Sequence, residues 1–412
     1  MKVLIASDVY HSQVNGVVTS IDILVRELES YGHEVRILTL SSNRSSYIED
    51  NVYYNGSISA GFYPDMRMFP KLNNNIKKEI LEWGPDLIHT QSEFSAFLFA
   101  DYISKKLDIP IVHTYHTLYQ YYLGYVLPGK KLGDFAVRKY FHRVLNKTSC
   151  VIAPTEKVRE CLDEYKIDTQ IQVVPTGIVG NLPDKISEER KKELKLKYHL
   201  SLDKKIVLTV GRLAKEKNIQ ELIFYMEELL VAEKELQFLI VGGGPYYKEL
   251  EMLVQKNNME KSVIFTGMLP HEDLDEIYQL GDLFVSASIS ETQGLTVLEA
   301  MTNGLPLLCR EDKSLSNTLL PEKNGLFYHD KVSFLESLHR ILKDKNLQTA
   351  YSEQSRITAL EYSMTAFAGK IEDIYRETLE NQVKYKNMKE DYLDVETGKL
   401  SFSQIYTFHK VS

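Results

Sequence analysis

Short runs of apolar residues alternate along the chain with longer segments in which apolar residues recur every three or four positions. The runs are typical of buried parallel strands, and the longer period is typical of amphipathic helices. In the first half we predict helices from Gly16 to a stop at Gly32, from Glu93 and from Thr155. The predicted strands are Lys2–Ser7, His33–Leu40, Leu87–Thr90, Ile109–His113, Cys150–Pro154 and Ile171–Pro175. This order predicts a parallel, doubly wound α/β sheet that binds ligands at the carboxyl ends of its strands.

The second half reuses this plan. A connection rich in lysine and glutamate, over residues 176–203, leads to a strand that ends at Gly211. Further on, a strand at Asp282–Ser286 precedes a helix at Leu295–Met301, and a long helix runs from Met364 to about Lys386. We therefore predict an N-terminal domain at 1–178, a second domain at 179–363, and a C-terminal helix with a tail at 364–412.

Composition is that of a globular protein with two domain cores, since the chain has 412 residues, of which 43% are apolar and 26% charged. Cys150, Cys161 and Cys309 lie far apart in apolar segments, which indicates buried thiols in a reducing compartment. No run approaches the ~18 apolar residues needed to span a bilayer, so we expect a cytoplasmic protein, soluble or peripheral. The net charge of −8 argues against a general nucleic-acid binder.

Two glutamates flank a glycine at the start of the helix predicted at Leu295–Met301. Glu291 lies in the preceding loop, Gly294 ends the turn, and Glu299 lies just over one turn into the helix. Such a turn directs backbone N–H groups and the positive end of a helix dipole at an anion. The carboxylates can then bind a sugar hydroxyl and a ribose diol, so the pattern indicates a nucleotide-sugar site. Two solvated glutamates on an ordinary strand–helix unit are the alternative.

Two cations follow the strand that ends at Gly211. Arg212 and Lys217 lie in the turn before a helix, where they can clamp a diphosphate. Surface salt bridges are the alternative, and we expect that role for Lys215. The sequence has no Asp-x-Asp in a strand-end loop and no histidine or cysteine cluster, so no metal ion is expected.

The first half offers two further candidates at strand ends. The loop that ends at Gly16 follows the first strand, and a glycine there lets a phosphate or sugar approach the backbone closely. An ordinary helix N-terminus is the alternative. His113 and His116 follow a later strand, and we expect His116 to face the cleft, although a lone histidine at a strand end is commonly structural.

The chain resembles the retaining glycosyltransferases of family 4, which have the GT-B fold, and within them the bacterial enzymes that glycosylate diacylglycerol. The likeness covers about residues 1–380, and Glu291 and Glu299 match the family's E-x7-E element. The other phrases that carry it are Ile88–Phe94, Pro110–Tyr119, Val174–Ile178, Phe265–Met268 and Ser290–Thr296. The resemblance implies two Rossmann-like domains that face a central cleft, and a C-terminal helix that crosses back to the first.

The resemblance also implies roles for single residues. His116 contacts the donor sugar near the reacting carbon, Arg212 and Lys217 bind the diphosphate, and Glu291 and Glu299 hold the sugar and the ribose. The remaining donor-binding residues that it implies are Gly16, Gly267, Met268, Gln293, Gly294 and Leu295.

The implied activity is transfer of a hexose, glucose in the form of UDP-glucose, to a hydroxyl with retention at the anomeric carbon, without metal or other cofactor. The implied acceptor is diacylglycerol or a glycolipid at the cytoplasmic face of the membrane. Departures at Gln120–Tyr125 and in the C-terminal tail leave a polysaccharide, protein or other soluble acceptor open.

Two other classes also stay open. One is a retaining glycosidase, which needs two carboxylates about 5 Å apart. The other is a non-catalytic partner subunit, which has no need to keep Arg212 and Lys217.

The segment at residues 127–147 indicates a membrane-facing helix. It carries six cations against Asp134, while Val137, Tyr140 and Phe141 begin an apolar stripe. Basic residues beside an anionic leaflet attract the protein to the surface that supplies a lipid acceptor. A surface helix with a solvated basic face is the alternative. The six cations are Lys130, Lys131, Arg138, Lys139, Arg143 and Lys147.

Overall fold

The computed structural model describes residues 1–10, 16–59, 67–68, 71–118, 130–232, 236–289 and 291–396, and it describes side chains at all of these except 130–137, 232 and 386–396. The departure noted at Gln120–Tyr125 lies outside the described residues, as does the tail beyond residue 396.

The first half of the chain forms one sheet covered by helices. Its strands are β1 (Lys2–Ser7), β2 (Glu34–Leu40), β3 (Tyr47–Glu49), β4 (Val52–Asn55), β7 (Leu87–Thr90), β8 (Ile111–Thr114), β9 (Cys150–Ala153) and β10 (Ile171–Val173), and β5 (Ile58–Ser59) and β6 (Arg67–Met68) form a separate ribbon. Its helices are α1 (Gly16–Ser30), α2 (Asn74–Trp83), α3 (Ser95–Leu107), α4 (Lys130–Leu145) and α5 (Glu156–Glu164). The strand order is β10-β9-β8-β7-β1-β2-β4-β3. All pairs are parallel except β3 with β4.

Prolines explain two small differences from the predicted strands. β8 begins at Ile111 and not at Ile109, and β9 ends at Ala153 and not at Pro154. Proline has no N–H to donate to a central ladder, so pairing starts after Pro110 and stops before Pro154.

The second half forms a six-stranded parallel sheet. Its strands are β11 (Lys205–Val210), β12 (Leu236–Val241), β13 (Val263–Gly267), β14 (Leu283–Ser286), β15 (Leu307–Arg310) and β16 (Gly325–Tyr328), in the order β13-β12-β11-β14-β15-β16. Helix α6 (Glu188–Lys197) precedes it, and the others are α7 (Ile219–Ala232), α8 (Tyr247–Lys256), α9 (Leu274–Tyr278), α10 (Leu295–Thr302), α11 (Lys331–Lys343) and α12 (Lys345–Ala359). Apolar clusters lie on both faces, which is why the central strands are apolar along their whole length.

Both sheets change direction once, and those two points locate the site. The order in the second sheet reverses between β11 and β14, and that in the first reverses between β1 and β7. Ligands of doubly wound sheets bind outside the carboxyl ends of the strands at such switch points. The predicted site loops after β11 and β14 therefore lie where the topology places a ligand.

The chain passes between the halves twice, and the two passages pair with each other. The Ile178 N–H donates to the Tyr362 carbonyl at 3.0 Å, and the Met364 N–H donates to the Val179 carbonyl at 3.0 Å. Gly177 permits this approach, because a Cβ there would lie 2.1 Å from the Ser363 carbonyl oxygen. The predicted connection therefore begins at a tight, paired crossing.

A 33-residue helix, α13 (Met364–Glu396), then crosses back to the first half. Its buried face packs in the same cluster as α1 and β1, with Phe367, Ile371 and Tyr375 in the core. It extends ten residues beyond the predicted end at Lys386, since residues 387–396 contain no glycine or proline to stop a helix. The crossover is as predicted, and the domain boundaries stay a prediction.

Candidate active site

The loops after β11 and β14 bring two predicted residues into direct contact. Nζ of Lys217 lies 2.5 Å from Oε1 of Glu291, and the Ile289 N–H donates to the Glu216 carbonyl at 3.2 Å. Burial raises the pKa of Glu291, but the charge and hydrogen bond of Lys217, together with Ser288 and Lys157, lower it by more, and the net pKa is lowered. A charged pair thus lies at the switch point, with Glu291 ready to accept hydrogen bonds from hydroxyl groups.

Arg212 lies beside this pair at the edge of the cleft. Its Nη2 lies 2.6 Å from Oε1 of Glu216, a buried carboxylate four residues further on. The ion pair orients the guanidinium, a planar group whose donors match the geometry of phosphate oxygens. The structure therefore places both predicted cations on one side of the site.

Glu299 has a partner that the sequence did not reveal. The hydroxyl of Tyr278, at the end of α9, donates to Oε2 of Glu299 at 2.6 Å. Burial raises the pKa of Glu299, although this hydrogen bond opposes the rise. Tyr278 therefore orients the predicted ribose-binding carboxylate, and an aromatic residue at a helix end carries no pattern that would predict it.

Two predicted glycines, one from each half, lie close to neighbouring side chains at the start of α10. Gly294 begins α10 in the left-handed conformation at φ 77°, and a Cβ there would lie 2.8 Å from Cδ2 of Leu315. A Cβ at Gly16 would lie 3.1 Å from Cδ1 of Leu295. Gly16 therefore lies directly against the start of α10, while residues 11–15 of the predicted loop lie outside the described residues.

The predicted donor-binding residues Gly267 and Met268 include an exposed apolar side chain. Gly267 ends β13 at φ 72°, and its carbonyl accepts the Gly242 N–H at 3.0 Å. Met268 is 70% exposed and lies over Gly243, where a Cβ would come within 2.8 Å of its Cγ. A flexible thioether beside bare backbone suits contact with a flat ring.

The side chain of Gln293, in the loop before α10, bonds to the first half of the chain. Its buried amide accepts the Thr176 N–H at 2.8 Å and donates to the Thr176 carbonyl at 2.8 Å. The side chain joins the two halves of the protein. A role of Gln293 in donor binding stays a prediction.

Helix α5 of the first half and the residue before it bond to the loop that carries Glu291. Nζ of Lys157 lies 2.7 and 2.8 Å from the two carboxylate oxygens of Asp312 and donates to the Glu291 carbonyl at 3.1 Å. The Thr155 hydroxyl donates to the Thr292 carbonyl at 2.8 Å. Sequence reasoning missed these residues because their partners are more than 130 positions away.

His116 lies on the opposite side of the cleft, after β8. His113 is fully buried, whereas His116, the residue chosen from the sequence, is half-buried. Its Nε2 lies 2.6 Å from Oε1 of Gln91. Burial, with a smaller effect of His113, lowers the pKa of His116 to about 3, so the imidazole is neutral.

Both halves of the chain match families of known proteins in sequence. Residues 14–179 match the family described as Glycosyltransferase Family 4, and residues 190–358 match Glycosyl transferases group 1. The alpha-monoglucosyldiacylglycerol synthase of Streptococcus pneumoniae is 31% identical over 95% of this chain and 89% of its own. The chain belongs to glycosyltransferase family 4. A second alpha-monoglucosyldiacylglycerol synthase, from Acholeplasma laidlawii, is 28% identical over 94% of this glycosyltransferase and all of its own length.

Solved structures confirm the predicted GT-B fold of this family 4 glycosyltransferase. Sucrose-phosphate synthase from Thermosynechococcus elongatus superposes with a TM-score of 0.70 at 22% identity, over 91% of this chain and 98% of its own. Anabaena HepE, solved in complex with UDP-glucose, superposes with a TM-score of 0.71 at 15% identity, over 92% and 100%.

Two of the six predicted membrane-facing cations, in and just after α4, form ion pairs within the protein. Arg138 pairs with Glu164 at 3.0 Å, and Lys147 pairs with Asp101 at 2.8 Å. Lys139 and Arg143 are exposed on the helix. Lys130 and Lys131 begin α4, but their side chains lie outside the described part. The apolar stripe is buried at Phe141, Val144 and Leu145.

Two observations concern membranes and metals. Within the described ranges, no helix of the glycosyltransferase has the length and apolar character to cross a bilayer. Among the side chains that the structure describes, no three histidine, cysteine or acidic groups are arranged to hold a metal ion. Metal independence stays a prediction.

Replacing Lys157 by methionine should lower kcat/KM about tenfold, because it removes charged hydrogen bonds that hold the Glu291 loop. Steady-state kinetics with the donor varied would measure this loss. Lys313→Met is the matched control, since Lys313 also bridges the halves, to Glu160, but through an exposed pair of little expected effect. Equal rates for Lys157→Met and wild type would show that α5 does not position Glu291.

Proposed function

We propose that the protein is a retaining, metal-independent glucosyltransferase that moves glucose from UDP-glucose to a hydroxyl of diacylglycerol or a glycolipid. The observation that carries the proposal is the Lys217–Glu291 pair, with Arg212 beside it, at the switch point of the second sheet. A cation for the leaving group and a carboxylate for sugar hydroxyls are the two groups that transfer from a nucleoside diphosphate sugar requires.

The leaving diphosphate is stabilised by the protein's own positive charges. Arg212 and Lys217 bind its oxygens, and the N-terminus of α10 after Gly294 adds backbone donors and the helix dipole. In this scheme the bond between the anomeric carbon and the phosphate oxygen breaks, and the acceptor oxygen bonds to that carbon on the same face. The acceptor's proton leaves with the diphosphate oxygen.

The two carboxylates serve binding. Glu291 accepts hydrogen bonds from hexose hydroxyls, and Glu299, oriented by Tyr278, accepts them from the ribose. Each has its own partner, Lys217 or Tyr278, which fits separate binding roles better than the paired acid and nucleophile of a glycosidase. His116 and the Gly16 loop close the sugar from the first half, and closure excludes water as a competing acceptor.

The lipid acceptor is supported by the names of the synthases from Streptococcus pneumoniae and Acholeplasma laidlawii and by α4. In this proposal the protein lies on the cytoplasmic face of the membrane, with Lys139 and Arg143 towards anionic headgroups. Exposed basic residues beside an anionic leaflet contribute about 1 kcal/mol each. Arg138 and Lys147 contribute less than the sequence implied, because ion pairs hold them on the protein.

The direct test supplies a panel of nucleotide sugars with diacylglycerol vesicles, monoglycosylated lipid or soluble sugars, and identifies products by mass spectrometry. We expect a glucolipid of retained configuration from UDP-glucose. A product on a soluble acceptor only would favour the polysaccharide-type alternative. Donor binding without turnover, restored by a second protein, would favour the partner-subunit alternative.

We predict that the double variant Lys139→Gln/Arg143→Gln binds anionic vesicles about 30-fold more weakly than wild type, as expected for two cations at ~1 kcal/mol each. Co-sedimentation with anionic and with neutral vesicles measures this, and salt should release the wild type. Lys343→Gln/Lys345→Gln is the control, because it removes the same charge from exposed positions of the second half. Equal binding of wild type and Lys139→Gln/Arg143→Gln would reject α4 as the membrane-facing surface.

A further inference from the structure

A series of hydrogen-bonded side chains leads from His116 into the core of the first half. Gln91 follows β7 at the switch point of the first sheet, and His89 lies within β7 itself. Tyr375 reaches His89 from the crossover helix α13. His89, Gln91 and Tyr375 are all buried, and none of them was a candidate from the sequence.

The distances along this series are those of good hydrogen bonds. Nε2 of His116 lies 2.6 Å from Oε1 of Gln91, and Nε2 of Gln91 lies 3.1 Å from Nε2 of His89. Nδ1 of His89 lies 2.6 Å from the hydroxyl oxygen of Tyr375. The hydroxyl of Thr114 lies 2.7 Å from Nε2 of His89 and completes the surroundings of that ring.

The amide of Gln91 sets the direction of these bonds. In the structure its oxygen, which can only accept, faces His116, and in this orientation His116 carries its proton on Nε2 and donates it. Its nitrogen, which can only donate, faces His89, so Nε2 of His89 accepts, and His89 carries its proton on Nδ1 and donates to Tyr375. One side chain thus determines the tautomer of two histidines.

The rings in the series are uncharged. Burial, followed by the nearby His113 and His116, lowers the pKa of His89 well below its usual range, and burial raises the pKa of Tyr375. His113 is a further titratable group beside these rings, and its Nε2 lies 3.4 Å from Oε1 of Glu93. A neutral imidazole has one donor and one acceptor nitrogen, so the hydrogen bond at one nitrogen fixes the role of the other.

We propose that Gln91, His89 and Tyr375 are positioning residues that hold His116 as its Nε2–H tautomer, so that Nδ1 accepts a hydrogen bond from a hydroxyl of the donor hexose. Within the described residues, no group bonds Nδ1 of His116. The proposal rests on the proposed role of His116 at the donor sugar. It gives the crossover helix a part in catalysis, since Tyr375 lies at the far end of the series.

The first test reads the tautomer directly. Long-range ¹H–¹⁵N spectra of the histidine rings should show His116 protonated at Nε2 in the wild type, and mixed between both nitrogens in Gln91→Leu. Tyr375→Phe should lower kcat about three- to tenfold, the range expected for one uncharged hydrogen bond, and Gln91→Leu by more. Tyr351→Phe is the control, because Tyr351 is also a buried tyrosine with a hydrogen-bonded hydroxyl. Its partner is Glu322, which does not belong to the series that ends at His116.

Gln91→Glu separates positioning from packing. Its carboxylate can accept from Nε2 of His116, so activity at alkaline pH should recover most of what Gln91→Leu loses. The negative charge would also raise the pKa of His116, so activity should fall on acidification at a pH where the wild type is unaffected. If Gln91 served only for packing, Gln91→Glu would show no such loss of activity on acidification.

Two results would overturn the proposal. One is a set of folded Gln91→Leu and Tyr375→Phe variants whose His116 spectra and kcat match the wild type. The other is a wild-type His116 protonated at Nδ1. His116→Ala tests the underlying role separately, since unchanged activity of that variant would reject His116 as a sugar contact while the spectra still report the tautomer.

Discussion

Replacing Lys217 or Arg212 by alanine should remove nearly all turnover, with kcat lower by about 100- to 1,000-fold, the cost of deleting one stabiliser of a developing negative charge. Removal of either cation also leaves a carboxylate without its ion-pair partner, the partly buried Glu291 in one case and the buried Glu216 in the other. Donor binding should weaken as well, by ~1.5–3 kcal/mol for each charge-assisted contact.

Steady-state kinetics with UDP-glucose would measure both losses, with thermal unfolding to confirm that the variants fold. Lys215→Ala is the matched control, since Lys215 is exposed in the same turn and should be dispensable. A chelator should leave the wild-type rate unchanged. Normal turnover of either variant, or a steep and reversible loss in chelator, would contradict a leaving group stabilised by these cations.

Replacing Glu291 by glutamine should lower kcat about 100-fold, the lower end of the range for a preorganised electrostatic contact. The amide keeps the volume but loses the charge that accepts sugar hydroxyls and pairs with Lys217. Because the two side chains are in contact, their effects should not add. The double variant Lys217→Ala/Glu291→Gln should therefore be little worse than Lys217→Ala alone, and additive losses would show that the pair does not act as a unit.

The pH profile distinguishes the two glutamates. Lys217 holds the pKa of Glu291 below its usual value, so this carboxylate stays charged as the pH falls, whereas burial raises the pKa of Glu299 and it is protonated first. The KM for the donor should therefore rise on acidification, and Glu291→Gln should leave that rise in place. If the rise in KM disappears in Glu291→Gln, the carboxylate that titrates is Glu291 and not Glu299.

Much of the fold follows from local pattern. Apolar runs between helical periods predicted the central strands of both sheets, and Pro110 and Pro154 explain where β8 and β9 begin and end. A glycine after a strand and before a helix predicted the turn at Gly294, because the left-handed backbone there disfavours other residues. These features depend on neighbours within a few positions, which a sequence displays.

The sequence alone therefore determined two doubly wound units and the strand-end loops that carry Arg212, Lys217, Glu291 and Glu299. Only the tertiary structure decided which groups these residues meet. The side chain of Gln293 bonds Thr176 from 117 positions away, and Tyr375 reaches His89 from 286 positions away. Such partners leave no periodic trace, since their approach depends on how the two sheets and the crossover helix pack together.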